Sequence, residues 1–486
     1  MTGPRVTPGT VLFVAIVLGF LADLLLWDTR WGIAFTLWVA ALTVVLALLF
    51  VGAPAPAPRG WKLGLALLIM TGMAASWRDS SVLIAIDVLA AASCAAVVLV
   101  RTSKGRLLVI RFSDLARESI AGMIDALIGA PSLIAADRTA WRQRGGGSAA
   151  ALPIVRGSLL AVPLLILFGA LFASADATFE YILVTVLDID LVSLFRHAVV
   201  ISVVSWVLAG VLYGRFLHSH ADVVRNAPSS GPTLGIIEVS LPLGAVAMLS
   251  GLFVLTQLAY LFGGGAYVLG TPAITLAEYA RRGFFELIAV AALSLPLLLA
   301  ADWLLRNEDK RARRIFTAIS IIQLVLLAVI MASAFHRLHV YQTHFGLTES
   351  RLYAAALLVW VAAVCGIYAG SVLRGRREHF VSGSLLAGLL VLAALHGLNP
   401  DARIAQVNLS RFHQGAALDT CYLGTLSADA VPVLLGALQE LPAQERAAIR
   451  SVLVDQREDL QAADWRSWNL GRGWAREMFK EINLTP

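Results

Sequence analysis

The sequence contains few charged residues, and this scarcity decides the class of protein. Only 14% of the 486 residues are charged, whereas soluble domains average about 25%. Mean hydropathy is +0.78, and apolar runs long enough to span a bilayer recur along the chain. A water-soluble multidomain enzyme is therefore excluded. The formal net charge of +6 indicates basic loops against anionic lipid, so we predict the lipid bilayer as a partner and no nucleic acid.

Cysteine and catalytic signature motifs are equally scarce. Cys94, Cys365 and Cys421 are far apart and form no CxxC or metal-binding spacing, so neither a disulfide framework nor a zinc site is predicted. The sequence has no G-x-x-x-x-G-K-[ST] phosphate loop, no G-x-S-x-G nucleophile motif and no H-E-x-x-H zinc motif. These absences argue against a P-loop nucleotide-binding protein, an α/β-hydrolase and an H-E-x-x-H metalloprotease. We predict no cofactor and no metal.

What the sequence does contain is a series of apolar segments of membrane-spanning length, about eleven in all. They cover residues 10–27, 32–51, 62–77, 81–100, 156–174, 193–213, 234–262, 284–304, 315–335, 351–373 and 380–398. The first segment contains Asp23 and is not followed by a small-residue cleavage site, so we expect a retained helix rather than a signal peptide. The pattern predicts an all-α, polytopic integral membrane protein with a small C-terminal helical domain.

Lys and Arg are distributed unevenly between alternate loops. If the N-terminus is cytoplasmic, the inside segments carry far more of these residues than the outside loops. Because cytoplasmic loops are enriched in Lys and Arg, an inside N-terminus and an outside C-terminal domain are favoured.

Four regions follow from this pattern. Residues 1–100 hold the first four transmembrane helices, residues 101–155 form a basic cytoplasmic loop with an interfacial helix, and residues 156–398 form the main helix bundle. Residues 399–486 form an outer-face helical domain, here called the tail. Its predicted helix starts are Asn399-Pro400-Asp401, Ser427, Pro442 and Asp464.

The 101–155 loop begins with an amphipathic segment. In RFSDLARESIAGMIDALIGAP, which starts at Arg111, the apolar residues fall near one helical face and the charged residues lie mostly elsewhere. This favours a helix lying in the membrane interface, with docking of a cytoplasmic partner protein as the alternative. The following RTAWRQRGGGS is typical of a basic flexible linker.

The stretch from Tyr260 to Leu287 interrupts the apolar pattern with glycines, a proline and a charged cluster. The cluster comprises Glu278, Arg281, Arg282 and Glu286. Lipid disfavours unpaired backbone and charge, so such a stretch must be covered by protein or line a wet cavity. We predict that it floors a polar outer vestibule roofed by the tail, where the arginines bind an anionic group. Alternatively, the arginines reach the lipid headgroups and Glu278 pairs with Arg282 along a helix.

Four other carboxylates are weaker candidates. Asp23 and Asp87 lie within apolar segments, where a carboxylate is a candidate proton site; a structural hydrogen bond to a neighbour is the plainer alternative. Asp188 and Asp190 form a D-x-D on an outer loop, a spacing that can hold a divalent ion on a sugar phosphate. Acidic outer loops are common, so this motif alone carries little weight.

Three histidines near one span end form a separate pattern. His336, His339 and His344 have the spacing H-x2-H-x4-H, and zinc favours histidine pairs on one helix face. No further ligand segment completes the set, so interfacial histidines at a helix end are the preferred interpretation.

The segments YLFGG (260–264) and YARRGFFEL (279–287) stand out, together with further pieces of the chain. These pieces are SADATFE (174–180), YQTHFGLTESRLY (341–353), NPDARIAQVN (399–408), LDTCYLGTLSADAVP (418–432) and DWRSWN (464–469). In this order they resemble a bacterial membrane family catalogued only as a domain of unknown function. The resemblance implies an integral protein of the bacterial inner membrane, and it implies no activity, substrate or catalytic residue.

Three functions of different classes remain open. The first is a non-catalytic protein that binds or senses an envelope component through the outer vestibule and signals through its inside loops. The second is an envelope enzyme acting on a lipid-linked or phosphorylated sugar substrate, with Asp188, Asp190, Glu278 and Glu286 as candidate carboxylates. The third is a secondary transporter that uses the carboxylates within the spans. An enzyme should bring two or more carboxylates to one outer cavity, whereas a transporter should line a path to the bilayer midplane with them.

Overall fold

The computed structural model describes residues 6–54, 57–100, 109–110, 112–142, 191–217, 234–262, 284–305 and 310–481. Within these ranges the secondary structure is α-helical, with short 3-10 turns, one isolated bridge between Leu234 and Leu305, and no regular β-strand. The predicted all-α fold is confirmed.

The described α-helices are numbered here in chain order. They are α1 (Pro8–Leu26), α2 (Ile33–Gly52), α3 (Trp61–Ala74), α4 (Ser81–Leu99), α5 (Phe112–Arg142), α6 (Leu191–Phe216), α7 (Ile236–Phe262), α8 (Phe284–Leu304), α9 (Lys310–Phe345), α10 (Glu349–Ser371), α11 (Phe380–Leu398), α12 (Pro400–His413), α13 (Thr420–Gly424), α14 (Val431–Ala437), α15 (Ala443–Ala462) and α16 (Leu470–Glu481).

Eight of the described helices are long and apolar enough to cross a membrane. They are α1, α2, α4, α6, α7, α9, α10 and α11, and the shorter apolar helices include α3 and most of α8. The predicted segment 156–174 lies outside the described residues. Every other predicted segment corresponds to one helix, because a long apolar run can satisfy its backbone in lipid only by forming a helix or a closed barrel. The chain is an integral, multi-pass membrane protein.

Helices α1 to α6 form a first bundle. Leu18 of α1, Leu46 of α2 and Leu212 of α6 are buried in its core. Helix α5 packs closely on α6, since a Cβ on Gly129 would lie only 2.7 Å from the Cα of Gly210. Small residues at helix contacts permit such an approach between membrane helices.

Helix α5 corresponds to the helix predicted to lie in the membrane interface. It extends to Arg142, so the basic segment that begins at Arg138 is helical as far as that residue. It packs against α6 and α1, while large apolar side chains such as Met123 and Leu127 are exposed. A position of this helix at the lipid surface stays a prediction.

Helices α7 to α11 form a second bundle. Phe316 and Leu327 of α9 and Tyr368 of α10 are buried in its core. Helix α7 packs on α9, and α10 packs on α11. Leu385 and Leu389 of α11 also pack on the core of the first bundle, so α11 joins the two bundles.

The tail folds into α12 to α16 around Val431, Leu434 and Ile449. The same core includes Leu83 of α4 and Leu392 of α11, so the tail is packed on one end of the bundles. This end, where the α1–α2, α3–α4 and α9–α10 loops meet the tail, is called the tail end. The opposite end, which carries the α8–α9 and α10–α11 loops, is called the basic end.

The predicted helix starts of the tail match the structure closely. Asn399 precedes α12 with Pro400 as its first residue. Ser427 and Asp464 each accept a backbone N–H at the start of a 3-10 turn, as expected for capping residues. Pro442, expected at the first helical position, instead lies at the N-cap of α15, so the helix begins one residue later, at Ala443.

Candidate functional site

Asp23 and Asp87, the two carboxylates predicted as candidate proton sites, each have a histidine partner. Oδ1 of Asp23 on α1 lies 2.9 Å from Nδ1 of His197 on α6. Oδ1 of Asp87 on α4 lies 2.9 Å from Nε2 of His396 on α11, and both of these side chains are buried. The two pairs are separate, and neither carboxylate lines any of the four main cavities formed by the described residues.

The remaining predicted site residues are not described in the same detail. Those outside the described residues are Asp188, Asp190, Glu278, Arg281 and Arg282. Glu286 belongs to α8, but its side chain lies outside the described positions. His336, His339 and His344 are exposed, and within the described ranges no group of His, Cys, Asp or Glu is arranged to hold a metal ion.

The tail binds the short loop between α3 and α4 through a set of buried charged side chains. Nη1 of Arg78 lies 3.6 Å from Oδ1 of Asp429, and Asp79 forms an ion pair with Arg472. The backbone N–H of Asp79 donates to Oδ2 of Asp429 at 2.6 Å. In return, the backbone N–H of Ala428 donates to Oδ2 of Asp79 at 3.0 Å. The loop and the tail therefore bind each other reciprocally, and we call this set the clasp.

Backbone hydrogen bonds fix the register of the clasp. The N–H of Leu470 donates to the carbonyl of Ser76 at 2.8 Å, and the N–H of Gly471 donates to that of Trp77 at 3.2 Å. A Cβ on Gly471 would meet the carboxylate of Asp429. The absence of a side chain at this position is thus what lets the start of α16 approach the loop so closely.

Beside the clasp lies a pocket of about 530 Å³ between the tail and the ends of the bundle helices. Its size falls within the usual range of small-molecule sites, about 300–1,000 Å³. The α1–α2 loop and α4 form one side, and α15 and α16 form the other. Its polar lining includes Asp79, Glu349, Asp401, Ser427, Gln456 and Arg472.

Two carboxyl groups of this lining are neighbours. Asp401 on α12 and Glu349 on α10 interact through their side chains, and two carboxyls can share a hydrogen bond only when one carries a proton. Burial raises the pKa of Asp401, against the lowering effect of the hydrogen bonds it accepts from Ser427. The backbone N–H of Glu349 donates to the Tyr422 hydroxyl at 2.8 Å. The pair is positioned by three helices and can hold a proton at the wall of the pocket.

Three buried polar atoms of the lining are unsatisfied among the described residues. No N–H or hydroxyl group donates to Oδ1 of Asp401 or to Oε1 of Gln456, and nothing accepts from Nε of Arg472. Asp401 is 1% exposed and Arg472 is 3% exposed. An unsatisfied buried polar atom costs about 1–3 kcal/mol, so such atoms usually have a water or ligand partner. The hydrogen-bonding capacity of these lining residues is therefore not fully used by N–H, hydroxyl or carbonyl groups of the described protein.

The loop that carries Glu349 is itself fixed by α12. Gly346 has a positive φ of 80°, which glycine adopts without steric cost. The side chain of Asn408 accepts the N–H of Leu347 at 3.0 Å and donates to its carbonyl at 2.8 Å. Nη2 of Arg411 donates to the carbonyl of His344 at 2.7 Å. These contacts hold the entry to α10 in one conformation.

Burial at the clasp also raises the pKa of a second carboxyl group. Burial raises the pKa of Asp429 to about 6, although the N–H of Asp79 and the guanidinium of Arg78 lower it. Since Arg78 also donates from Nε to the carbonyl of His396 at 3.0 Å, the clasp is connected to the Asp87–His396 pair inside the membrane.

Four of the segments that stand out in the sequence meet at this site. Residues 341–353 supply Glu349, residues 399–408 supply Asp401, residues 418–432 supply Ser427 and Asp429, and residues 464–469 supply Asn469. The side chain of Asn469 accepts the backbone N–H of Arg472 at 2.7 Å. The sequence thus indicates these segments, although not that they share one pocket.

Sequence reasoning misses Arg78 and Asp79, which hold the other half of the clasp. They lie in a short polar loop outside the segments that stand out. A signal was present, because three charged or aromatic residues, Trp77 to Asp79, interrupt the apolar pattern between two spans.

Comparison with known proteins bears on the identity of the chain. Residues 63–437 match the family model described as "Domain of unknown function (DUF4153)". The match extends from α3 to α14 and so includes both sides of the Arg78–Asp429 contact. No curated protein and no solved structure matches the chain. The chain therefore belongs to the DUF4153 family of proteins of unknown function.

Proposed function

We propose that the protein binds a polar component of the bacterial cell envelope in the pocket beside the clasp and thereby acts as an envelope sensor. The pocket wall comes partly from the tail and partly from the ends of α4 and α10. A ligand there contacts both parts at once, so its binding changes how firmly the tail is held. The long helices carry that change to the basic end, where a cytoplasmic partner protein would respond.

The observation that carries this proposal is the set of unsatisfied atoms. Asp401 and Arg472 are almost completely buried, both line the same pocket, and each has a side-chain atom without a hydrogen-bond partner among the described residues. The ligand that fits has polar groups of both kinds, donating toward Asp401 and Gln456 and accepting from Arg472. Sugars and amino-bearing headgroups have this character.

The proposed topology follows the distribution of basic residues. The N-terminus and the basic end face the cytoplasm of an inner membrane, because cytoplasmic loops are enriched in Lys and Arg. The tail then lies outside, where envelope components are accessible. The apolar helices make the lipid bilayer the surrounding partner.

A pocket-filling variant tests the proposal. Thr425 is exposed and lines the pocket, so Thr425→Trp should block the site from its rim while leaving the clasp intact. We expect the variant to fail to complement a deletion strain, with normal amounts of protein in the membrane. Cys421→Trp is the matched control, since Cys421 is exposed on α13, whose C-cap is Thr425, and does not belong to the lining of this pocket.

Two outcomes would contradict the proposal. Full complementation by Thr425→Trp would mean that the pocket is not needed for function. An equal loss of function in Cys421→Trp would mean that the surface of α13, rather than the pocket, is what matters.

An envelope enzyme is the second candidate, favoured by one observation. Asp79, Glu349 and Asp401 converge on a single pocket, and a neighbouring carboxyl pair can supply a general acid and a general base. The substrate would be a lipid-linked or phosphorylated sugar. Asp401→Asn separates the two candidates: an enzyme loses turnover but still binds its substrate, whereas a sensor loses affinity itself.

The vestibule residues predicted from sequence belong to the proposal as further candidate ligand-binding residues. Glu278, Arg281, Arg282 and Glu286 belong to the predicted outer stretch, and Asp188 and Asp190 belong to a predicted outer loop. For the transporter hypothesis, the separate histidine pairs of Asp23 and Asp87 offer no support.

A further inference from the structure

The basic end has a cavity of its own, of about 510 Å³, between α8, α9 and the α10–α11 loop. Two guanidinium groups of its wall flank Asp302. Nε of Arg377 lies 2.8 Å from Oδ2 of Asp302, and Arg313 pairs with Oδ1. Nη2 of Arg313 also donates to the carbonyl of Val372 at 3.0 Å. The buried carboxylate therefore holds both arginines in position at the cavity wall.

Positive charge dominates the surroundings of this cavity. In the described lining itself the charges balance, with Arg313 and Arg377 against Asp302 and Glu378, so the excess of positive charge comes from neighbouring residues. The exposed basic residues on the adjoining start of α9 and on the α10–α11 loop are Lys310, Arg311, Arg314, Arg374 and Arg376. Such a concentration of basic residues next to membrane spans attracts anionic lipid, with an effect of about 1 kcal/mol for each Lys or Arg near the surface.

The rest of the lining is apolar and partly exposed on the protein surface. Trp303 and Phe112 line the cavity and are 51% and 38% exposed, and Leu299 and Phe380 complete the apolar side. Tryptophan is enriched at the level of lipid headgroups. The cavity thus has a charged side surrounded by exposed basic residues and an apolar side, which matches a molecule with an anionic head and an acyl tail.

We propose that this cavity binds the phosphate-bearing headgroup of an anionic phospholipid. Nε and Nη2 of Arg377 both donate to Asp302, and Arg313 donates to Asp302 and to the carbonyl of Val372, so both guanidinium groups are fixed before the lipid arrives and attract its phosphate by their charge. Arg374 and Arg376 surround the site with further charge. This binding site is independent of the pocket at the tail end.

The test uses the purified full-length chain in detergent micelles, with phosphatidylglycerol and phosphatidylcholine as probes and native mass spectrometry as the readout. We expect the wild type to retain phosphatidylglycerol in preference to phosphatidylcholine. Arg374→Gln combined with Arg376→Gln should lower the affinity for phosphatidylglycerol roughly tenfold or more. Both residues are exposed, so the thermal unfolding of this variant should match that of the wild type.

A matched control separates a site from general attraction to a basic surface. Arg59 and Lys62 are exposed and belong to the region of the α2–α3 loop and the start of α3, which supplies no residue to the lining, so Arg59→Gln with Lys62→Gln removes equal charge elsewhere. An equal loss of affinity in this control would overturn the proposal. Arg377→Lys keeps the charge but loses the two-bond contact with Asp302 that positions the side chain, so it should weaken phosphatidylglycerol binding several-fold; unchanged binding would also overturn the site.

A final arm distinguishes lipid from free phosphate. Millimolar inorganic phosphate should leave bound phosphatidylglycerol in place, because it lacks the acyl chains that contact the apolar side. Complete displacement of the lipid by phosphate would make this an anion site and contradict the lipid proposal.

Discussion

The two ends of the protein use arginine–aspartate pairs under opposite conditions of burial. At the tail end, the side chains of Asp79 and Arg472 are 9% and 4% exposed, and backbone hydrogen bonds surround them. At the basic end, Asp302 is similarly buried, but the side chains of Arg313 and Arg377 are 28% and 30% exposed. The first arrangement joins the α3–α4 loop to the tail, whereas the second leaves two guanidinium groups partly exposed at the surface of the protein.

This difference has an energetic consequence. Removing one partner of a fully buried pair leaves an uncompensated charge without access to water. When the remaining partner is partly exposed, water can solvate it and the cost falls. The clasp should therefore be sensitive to substitution, and the basic end should tolerate it.

The largest effect is expected at the clasp. Asp79→Asn leaves Arg472 buried without its carboxylate, and it should destabilise docking of the tail by about 3–5 kcal/mol. Hydrogen exchange of the α16 amides in micelles measures this change as faster exchange. Lys480→Ala, which breaks the exposed Lys480–Glu477 pair, is the control and should leave exchange unchanged. Wild-type exchange in Asp79→Asn would mean that the clasp does not hold the tail.

A smaller effect is expected from pH. The ordinary pKa of an Asp is 3.8, and burial raises that of Asp429 to about 6 in the folded protein. The folded state therefore binds a proton that the unfolded state has released, and this contribution is full below pH about 4 and lost as pH rises through about 6. Docking of the tail should be tighter at pH 5 than at pH 7, by on the order of 1 kcal/mol.

Asp429→Asn tests the source of this pH effect. The substitution removes the titrating group, so the difference in tail exchange between pH 5 and pH 7 should shrink. An undiminished difference would assign the effect to another carboxyl, of which Asp401 is the nearest candidate because burial raises its pKa too.

The smallest effect is expected at the basic end. Asp302→Asn leaves two arginines that water can reach, so the free energy of unfolding should fall by about 1 kcal/mol or less. Chemical denaturation in micelles, run beside Asp79→Asn, compares the two ends directly. Equal losses would mean that burial of the arginines does not account for the difference between the ends.

Local sequence signals predicted much of this architecture. The spans follow from runs of apolar residues, and the tail helices follow from capping residues such as Asn399 and Asp464. Both signals act within a few residues, so a single sequence contains them.

The candidate site depends on contacts between distant residues, and these could not be predicted. Asp87 meets His396, and Asp79 meets Arg472, across most of the chain length. Each residue alone is an ordinary Asp, His or Arg, and the sequence does not contain their distances. The segments that contribute Glu349 and Asp401 do stand out, so the sequence marks part of the site without assembling it.

One residue at the junction of membrane and tail governs how motion can pass between them. Asn399, with φ of 52°, is at once the last cap of α11 and the first cap of α12. No linker separates the two helices, so a change in the orientation of α12 must act directly on the last turn of α11. His396 lies on that last turn and contacts Asp87, so a single residue separates the first helix of the tail from the turn that binds the carboxylate of α4.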